Sequence, residues 1–267
     1  MLEARNIHAH IGKKKILHGI DFQARAGEIT AIVGPNGSGK STLLKTITDE
    51  VTFTGEIILN GQDTAKMKPW ELATLRGVLP QSATLAFPFT VIEVVRMGLM
   101  TGISGDRIDI PARALAAVGL VGYSGRFYQE LSGGEQQRAQ LARVLCQVWQ
   151  PVVDNIPRWL LLDEPVASLD IGHQLLVMQL MKDYALSGGG VIAVMHDLNL
   201  SAMFADRMAM IMDGTILTAG PPNEVIQTDI LSKAYGCSLT VNKVPAPEHS
   251  FVLPHLATME TVKARPW

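Results

Sequence analysis

The stretch EITAIVGPNGSGKSTLLKTI, Glu28–Ile47, decides the fold of this chain. It opens as a short apolar run, Glu28–Val33, that reads as a buried strand. It passes through a loop with three glycines, Gly34–Thr42, and resumes from Lys40 with helical spacing. A glycine-rich loop between a strand and a helix lets the backbone wrap phosphate groups, and the helix N-terminus favours the anion. In such a loop Gly34, Pro35, Asn36, Gly37, Ser38, Gly39, Lys40, Ser41 and Thr42 form the cradle. Lys40 reaches the β- and γ-phosphates, and the Ser41 hydroxyl reaches Mg²⁺.

Three further segments repeat the plan of a buried run ending in polar side chains. WLLLDEP ends in Asp163, placed to hold Mg²⁺ through water, and Glu164, placed to polarise an attacking water. VIAVMHD ends in His196, which could touch the γ-phosphate or that water, or be structural. GVLPQ ends in Gln81, a contact to Mg²⁺ or water, or simply a polar loop residue. In an open parallel α/β sheet the ligand lies at the C-terminal ends of the strands, where all these groups fall.

A second anion-binding device stands at LSGGEQQR, Leu131–Arg138. Ser132, Gly133 and Gly134 precede a helix start, yet no lysine or metal-binding group accompanies them. Between Ser82 and about Val148 no convincing strand appears, and helix starts at Thr90, Pro111 and Ser132 mark a helical insert. Further strands are expected at Ile16–Phe22 and over GEIILNGQD, and a hairpin around Asp213–Gly214. HQLLVMQLMKDYAL reads as an amphipathic helix. Residues from about Pro245 onward are rich in Pro and His without periodicity and read as a loosely attached tail.

Composition narrows the function. A formal net charge of −2 offers no electrostatic argument for nucleic acid. Cys146 and Cys237 match no metal spacing and read as reduced thiols. His8, His10, His18, His249 and His255 form no ligand constellation. The N-terminus carries no signal-peptide pattern. No apolar run approaches the ~18 residues needed to span a bilayer. A membrane role would require another chain to supply the spans.

The motifs GPNGSGKST, LPQ, LSGGEQQR, LLLDEP, SLD and the histidine of VMHD occur in the order found in ATP-binding-cassette ATPases, which this chain resembles from about Leu2 to Leu239. The resemblance implies an α/β fold: a P-loop NTPase nucleotide-binding domain of ABC type, with a RecA-like core, an antiparallel β subdomain and a helical subdomain. The ATPase domain would cover 1–244, with the helical subdomain at about 82–148, and the tail 245–267. By resemblance Lys40, Ser41, Gln81, Asp163, Glu164 and His196 serve ATP, Mg²⁺ and hydrolysis. Asp170 of SLD communicates across a dimer. Ser132, Gly133 and Gly134 then contact ATP held by the partner's Lys40, so two chains share two ATPs. The family often stacks adenine on an aromatic residue; here Ile11 takes that place with His10 beside it, and weak base selectivity is expected.

LPQSATLAFPFTVIEVVRMG looks like the ATPase subunits of iron-siderophore, haem and cobalamin importers, and the family's contact with the membrane subunit falls there. Phe87, Pro88 and Phe89 are either core residues under a helix or an exposed docking patch. Gln150–Arg158 lengthens the connection to the strand at Trp159, as in ATPases of bacterial haem importers. The expected protein is thus a peripheral ATPase on the cytoplasmic face of the inner membrane. Its partners would be integral-membrane permease subunits and, indirectly, a periplasmic substrate-binding protein. Haem is the expected cargo, with an iron-siderophore or cobalamin as the alternative. A soluble ATPase of iron–sulfur assembly type is the reading from another class, and the FPFTV loop argues against it.

Overall fold

The computed structural model describes residues 1–267 except 83, 84, 86, 102–106, 247, 255, 256 and 258–265. His255, much of the expected tail and part of the expected helical insert therefore lie outside the described residues. Strand β1 (Leu2–Ile11) pairs with β2 (Lys14–Ala24), and after β3 (Ile29–Val33) comes helix α1 (Lys40–Ile47). Strands β4 (Phe53–Leu59) and β5 (Gln62–Asp63) complete an antiparallel sheet of order β2-β1-β4-β5. Helix α2 (Pro69–Leu75) runs directly into β6 (Arg76–Leu79). Helices α3 (Val91–Thr101), α4 (Ile110–Ala117) and α5 (Gly133–Gln147) follow with no strand between them among the described residues. A small hairpin, β7 (Val152–Val153) and β8 (Ile156–Pro157), precedes β9 (Trp159–Asp163). The chain ends through α6 (Ile171–Leu186), β10 (Gly190–Val194), α7 (Leu198–Phe204), β11 (Arg207–Met212), β12 (Thr215–Gly220), α8 (Pro222–Val225) and α9 (Thr228–Tyr235).

The second sheet has the order β12-β11-β3-β10-β9-β6. Its five strands from β11 to β6 are parallel, and only β12 is antiparallel. Strands covered on both faces read as continuous apolar runs, and β3, β9 and β10 are buried at every position. The alternation hidden in those runs still sorts side chains. Ile29, Ala31, Val33, Leu160 and Leu162 join the core shared with α3–α6. Ile32, Leu161, Ile192 and Val194 join the core under β1, β2 and α1. Each such large side chain contributes about 1.5–3 kcal/mol by leaving water. Helix α3 meets α5 at Gly98, where a Cβ would run into the Arg143 carbonyl. These packed layers leave the C-terminal ends of β3, β6, β9 and β10 on one rim.

The expected strands and hairpin are present, and α3, α4 and α5 fall where the helical insert is expected. Glu93 accepts from the Thr90 amide and hydroxyl at the start of α3. Two expectations need correction, and a third gains detail. Helix α6 is less amphipathic than HQLLVMQLMKDYAL suggested, because Val177 is also fully buried and Leu176 only half-buried. The Gln150–Arg158 extension lengthens the connection as a hairpin: Asp154 and Asn155 both take positive φ, 49° and 60°, and turn β7 into β8. The tail is not loose at Trp267. Its ring stands edge-on to Trp149 and Tyr184, and its indole N–H donates to Ser187 at 2.8 Å.

Candidate active site

At the end of β3 the loop is shaped by its own chain. Gly34 has φ 143°, and a Cβ there would collide with the Ile211 carbonyl of β11. Gly39 has φ 107° and a Cβ would come within 2.8 Å of Leu17. Lys40 is buried, and its Nζ donates to the Gly34 and Pro35 carbonyls, each at 2.9 Å. Burial lowers the Lys40 ammonium from its ordinary range, against the opposing pull of Glu164 and Asp163. Ser38 Oγ is buried without a hydrogen-bond partner among the described residues. An orphaned hydroxyl and a desolvated ammonium at a helix N-terminus suit an incoming phosphate.

Asp163 closes β9. It is buried and accepts from Ser41 Oγ at 3.0 Å. Burial raises its carboxyl, the Ser41 hydrogen bond opposes this, and the charge of Glu164 adds to the rise. Glu164 follows with φ 54°, a left-handed conformation uncommon for a residue with a side chain. Its amide donates to the Val194 carbonyl of β10 at 3.1 Å. Its Oε1 accepts from Gln81 Nε2 at 3.0 Å and lies 2.7 Å from His196 Nε2. Three strand ends thus converge on one carboxylate.

The serine–glycine segment is separate. Ser132 caps α5, with its Oγ accepting from the Glu135 amide at 3.3 Å and Glu135 accepting from the Ser132 amide at 2.8 Å. Bonds to its carboxylate from the Ser132 amide and hydroxyl and the Tyr123 hydroxyl hold the Glu135 carboxyl down at about 2. A cavity of about 500 Å³ opens here, lined by Ser132, Gly133, Gly134, Glu135, Arg138, Ser168, Leu169, Asp170 and His173. No residue of the Gly34–Thr42 loop lines it. Asp170 caps α6 and contacts His173 Nδ1 at 2.8 Å.

A family model described as ABC transporter matches residues 17–167. The chain belongs to the ABC transporter family. It is an ATP-binding cassette, an ATPase. A protein named Hemin import ATP-binding protein HmuV from Jannaschia sp. (strain CCS1) is 60% identical over 257 residues, covering 96% of this chain and 95% of the relative. One of the same name from Rhizobium meliloti (strain 1021) is 53% identical, covering 97% of this chain and all of the relative. Among solved structures, a dimeric ATP-binding cassette in a post-hydrolysis state, bound to ADP and Pi, is 28% identical with a TM-score of 0.71. It covers 83% of this chain and 99% of its own. A bacterial Atm1-family exporter with ATP bound gives 26% and 0.75, covering 88% of this chain and 41% of its own.

The cassette brings Lys40, Ser41, Asp163, Glu164, Gln81 and His196 to one rim. Ser132, Gly133, Gly134 and Asp170 share the other cavity. Ile11 ends β1 and is 55% exposed, with His10 exposed beside it. Of the aromatic pair in FPFTV, Phe89 packs on the core and Phe87 stands out at 68% exposure. Sequence reasoning missed Gln137. Its Nε2 donates to the Glu164 carbonyl at 2.6 Å, although 27 residues separate the two. No local pattern marks such a residue on a helix that is polar along its first two turns.

Proposed function

We propose that this cassette is the ATP-hydrolysing subunit of a haem importer, working as a homodimer that shares two ATPs and docks on integral-membrane permease subunits. The full-length kinship with proteins named for hemin import supports the cargo. No helix among the described residues is long and apolar enough to cross a membrane, so the spans would belong to the permease. Exposed Phe87 supports docking through the FPFTV loop, at the cytoplasmic face of the inner membrane. A periplasmic binding protein would deliver cargo to the permease without touching this chain.

The observation that carries the hydrolytic reading is the convergence on Glu164. Its backbone is pinned to β10, and Gln81 and His196 hold one carboxylate oxygen. A carboxylate so held can orient a water and accept its proton. Lys40 would leave the Gly34 and Pro35 carbonyls for phosphate oxygens, and Ile11 would give adenine an apolar contact. The His196 imidazole would reach the transferred phosphoryl group. Asp163 is a buried carboxylate whose hydrogen-bond partner is the Ser41 hydroxyl, and a divalent cation would compensate it. Ser41, Asp163 and Gln81 would hold Mg²⁺, which supplies charge neutralisation at the phosphate oxygens. Gly133 supports the shared site: a Cβ there would meet nothing within 4 Å. Among the described residues no packing contact requires a glycine at that position, so the open face suits ATP brought by a second copy. ATP then favours the closed dimer, and hydrolysis removes that preference.

The test is reconstitution with the permease in liposomes. Haem should stimulate ATP hydrolysis, and Glu164→Gln should lower turnover by about 10²–10⁴ while ATP still binds. Stimulation by cobalamin or a ferric siderophore in place of haem would remove the cargo assignment. Wild-type turnover in Glu164→Gln would remove the catalytic one.

A further inference from the structure

Glu164 must keep a left-handed backbone, φ 54°, to aim its carboxylate at Gln81 and His196. Nothing intrinsic to glutamate favours that conformation, so neighbouring groups must hold the peptide. The amide end is held by Val194 of β10. The carbonyl end accepts from the Ala167 amide at 3.3 Å and from Gln137 Nε2 at 2.6 Å. Gln137 is half-buried on α5, and its other amide atom, Oε1, faces the Ser168 amide at 3.4 Å. The two partners fix the orientation of its amide group: a carbonyl needs a donor, and a backbone N–H needs an acceptor.

We infer that Gln137 is a positioning residue that sets the peptide of Glu164 from the helix beginning at Ser132. The inference rests on the reading that Glu164 polarises the attacking water. Helix α5 carries Ser132, at its N-terminus, and Gln137, one turn further on. A ligand that shifts Ser132 therefore moves the donor that holds Glu164 in the same chain. In the shared-site dimer these two residues serve different ATP molecules. Ser132 faces the partner's nucleotide, and Glu164 works on its own. Gln137 joins the two sites, and Ser168 extends the connection to the segment that ends at Asp170.

The test uses two nearly isosteric variants of the full chain, Gln137→Glu and Gln137→Met. Gln137→Glu keeps the acceptor toward Ser168 and loses the donor toward Glu164. Gln137→Met loses both. A shift of the carboxylate of order 1 Å is worth up to about 10²-fold in turnover. Both variants should therefore lower kcat by about 10–100-fold, with the KM for ATP within about twofold of the parent and ATP-driven association, read by light scattering, retained. Turnover within about twofold of the parent in either variant overturns the inference; a defect confined to Gln137→Glu would reflect only the added charge. Loss of ATP-driven association alongside turnover also overturns it, because α5 itself would then have failed. Glu164→Gln is measured beside them. Full turnover there defeats the underlying reading of Glu164, whereas a dead Glu164→Gln beside a fully active Gln137→Met defeats only the role of Gln137.

Discussion

The two glycine-rich segments, Gly34–Thr42 and Leu131–Arg138, look alike in sequence and differ in what their glycines are for. In the first, Gly34 and Gly39 take positive φ and lie against Ile211 and Leu17, so the chain's own packing demands them, whereas Gly37 is set apart by its positive φ, 77°, alone. The loop is also self-filled, with Lys40 bonded to its carbonyls. In the second, Gly134 sits under the Ser168 carbonyl at 2.8 Å, but Gly133 faces open space. A glycine demanded by internal packing reports on the fold. A glycine facing nothing leaves its backbone open to a second molecule.

The largest expected effect separates the two segments by how they fail. Lys40→Ala should weaken ATP binding by about 10–100-fold, the worth of a charged hydrogen bond to phosphate, and hydrolysis should fall with it. Ser132→Arg should leave nucleotide binding to the isolated chain within about threefold, yet lower turnover by about 100-fold or more through misplacement across the shared site. Filter binding and phosphate release measure both. Loss of binding in Ser132→Arg with turnover intact would break the comparison. A medium effect concerns stability. Gly34→Ala should cost about 2–4 kcal/mol, from positive-φ strain and overpacking. Gly133→Ala should be neutral or stabilising by up to about 1 kcal/mol, as for Gly→Ala in a helix. Urea unfolding of the two variants decides it, and a destabilised Gly133→Ala would show that the open face is illusory.

The smallest effect is in pH. The Glu135 carboxyl is held at about 2 against an ordinary 4.5, because the Ser132 amide and hydroxyl and the Tyr123 hydroxyl bond its charged form. A depressed carboxylate contributes stability above its unfolded value. That contribution is lost as pH falls from about 4.5 through about 2. Protection of the amides at the start of α5, taken relative to their intrinsic exchange at each pH, should fall across that window, while protection in the Gly34–Thr42 loop should show no step of Glu135 origin. Equal protection relative to intrinsic exchange at pH 6 and pH 2 at the start of α5 would contradict the cap.

Much of this was legible because the signals are local. Glycine, lysine and serine within nine residues, and carboxylates at the end of an apolar strand, announce their chemistry in sequence. The three strand ends meeting at Glu164 were legible only through the topology of a parallel sheet. The β7–β8 hairpin was written in Asp154–Asn155, a pair tolerant of positive φ, but two-residue strands carry no periodicity to flag it. Gln137 was invisible because half-buried helix glutamines are common and its partner lies on another element. Trp267 was misjudged for the same reason, since its neighbours Trp149 and Tyr184 lie about 118 and 83 residues away in a contact that long-range packing alone creates.

That Trp267 contact gives the molecule a built-in optical gauge. One indole touches two elements: Trp149, which follows α5 and over which Arg113 lies at 5.2 Å, and Tyr184 with Ser187 at the end of α6. The Trp149 and Trp267 rings are 6.3 Å apart and inclined at 82°. At that separation their electronic transitions couple, and the near-ultraviolet circular dichroism of the pair depends on their mutual angle. Any displacement of Trp267 from Trp149 would be written into that spectrum, with no label attached.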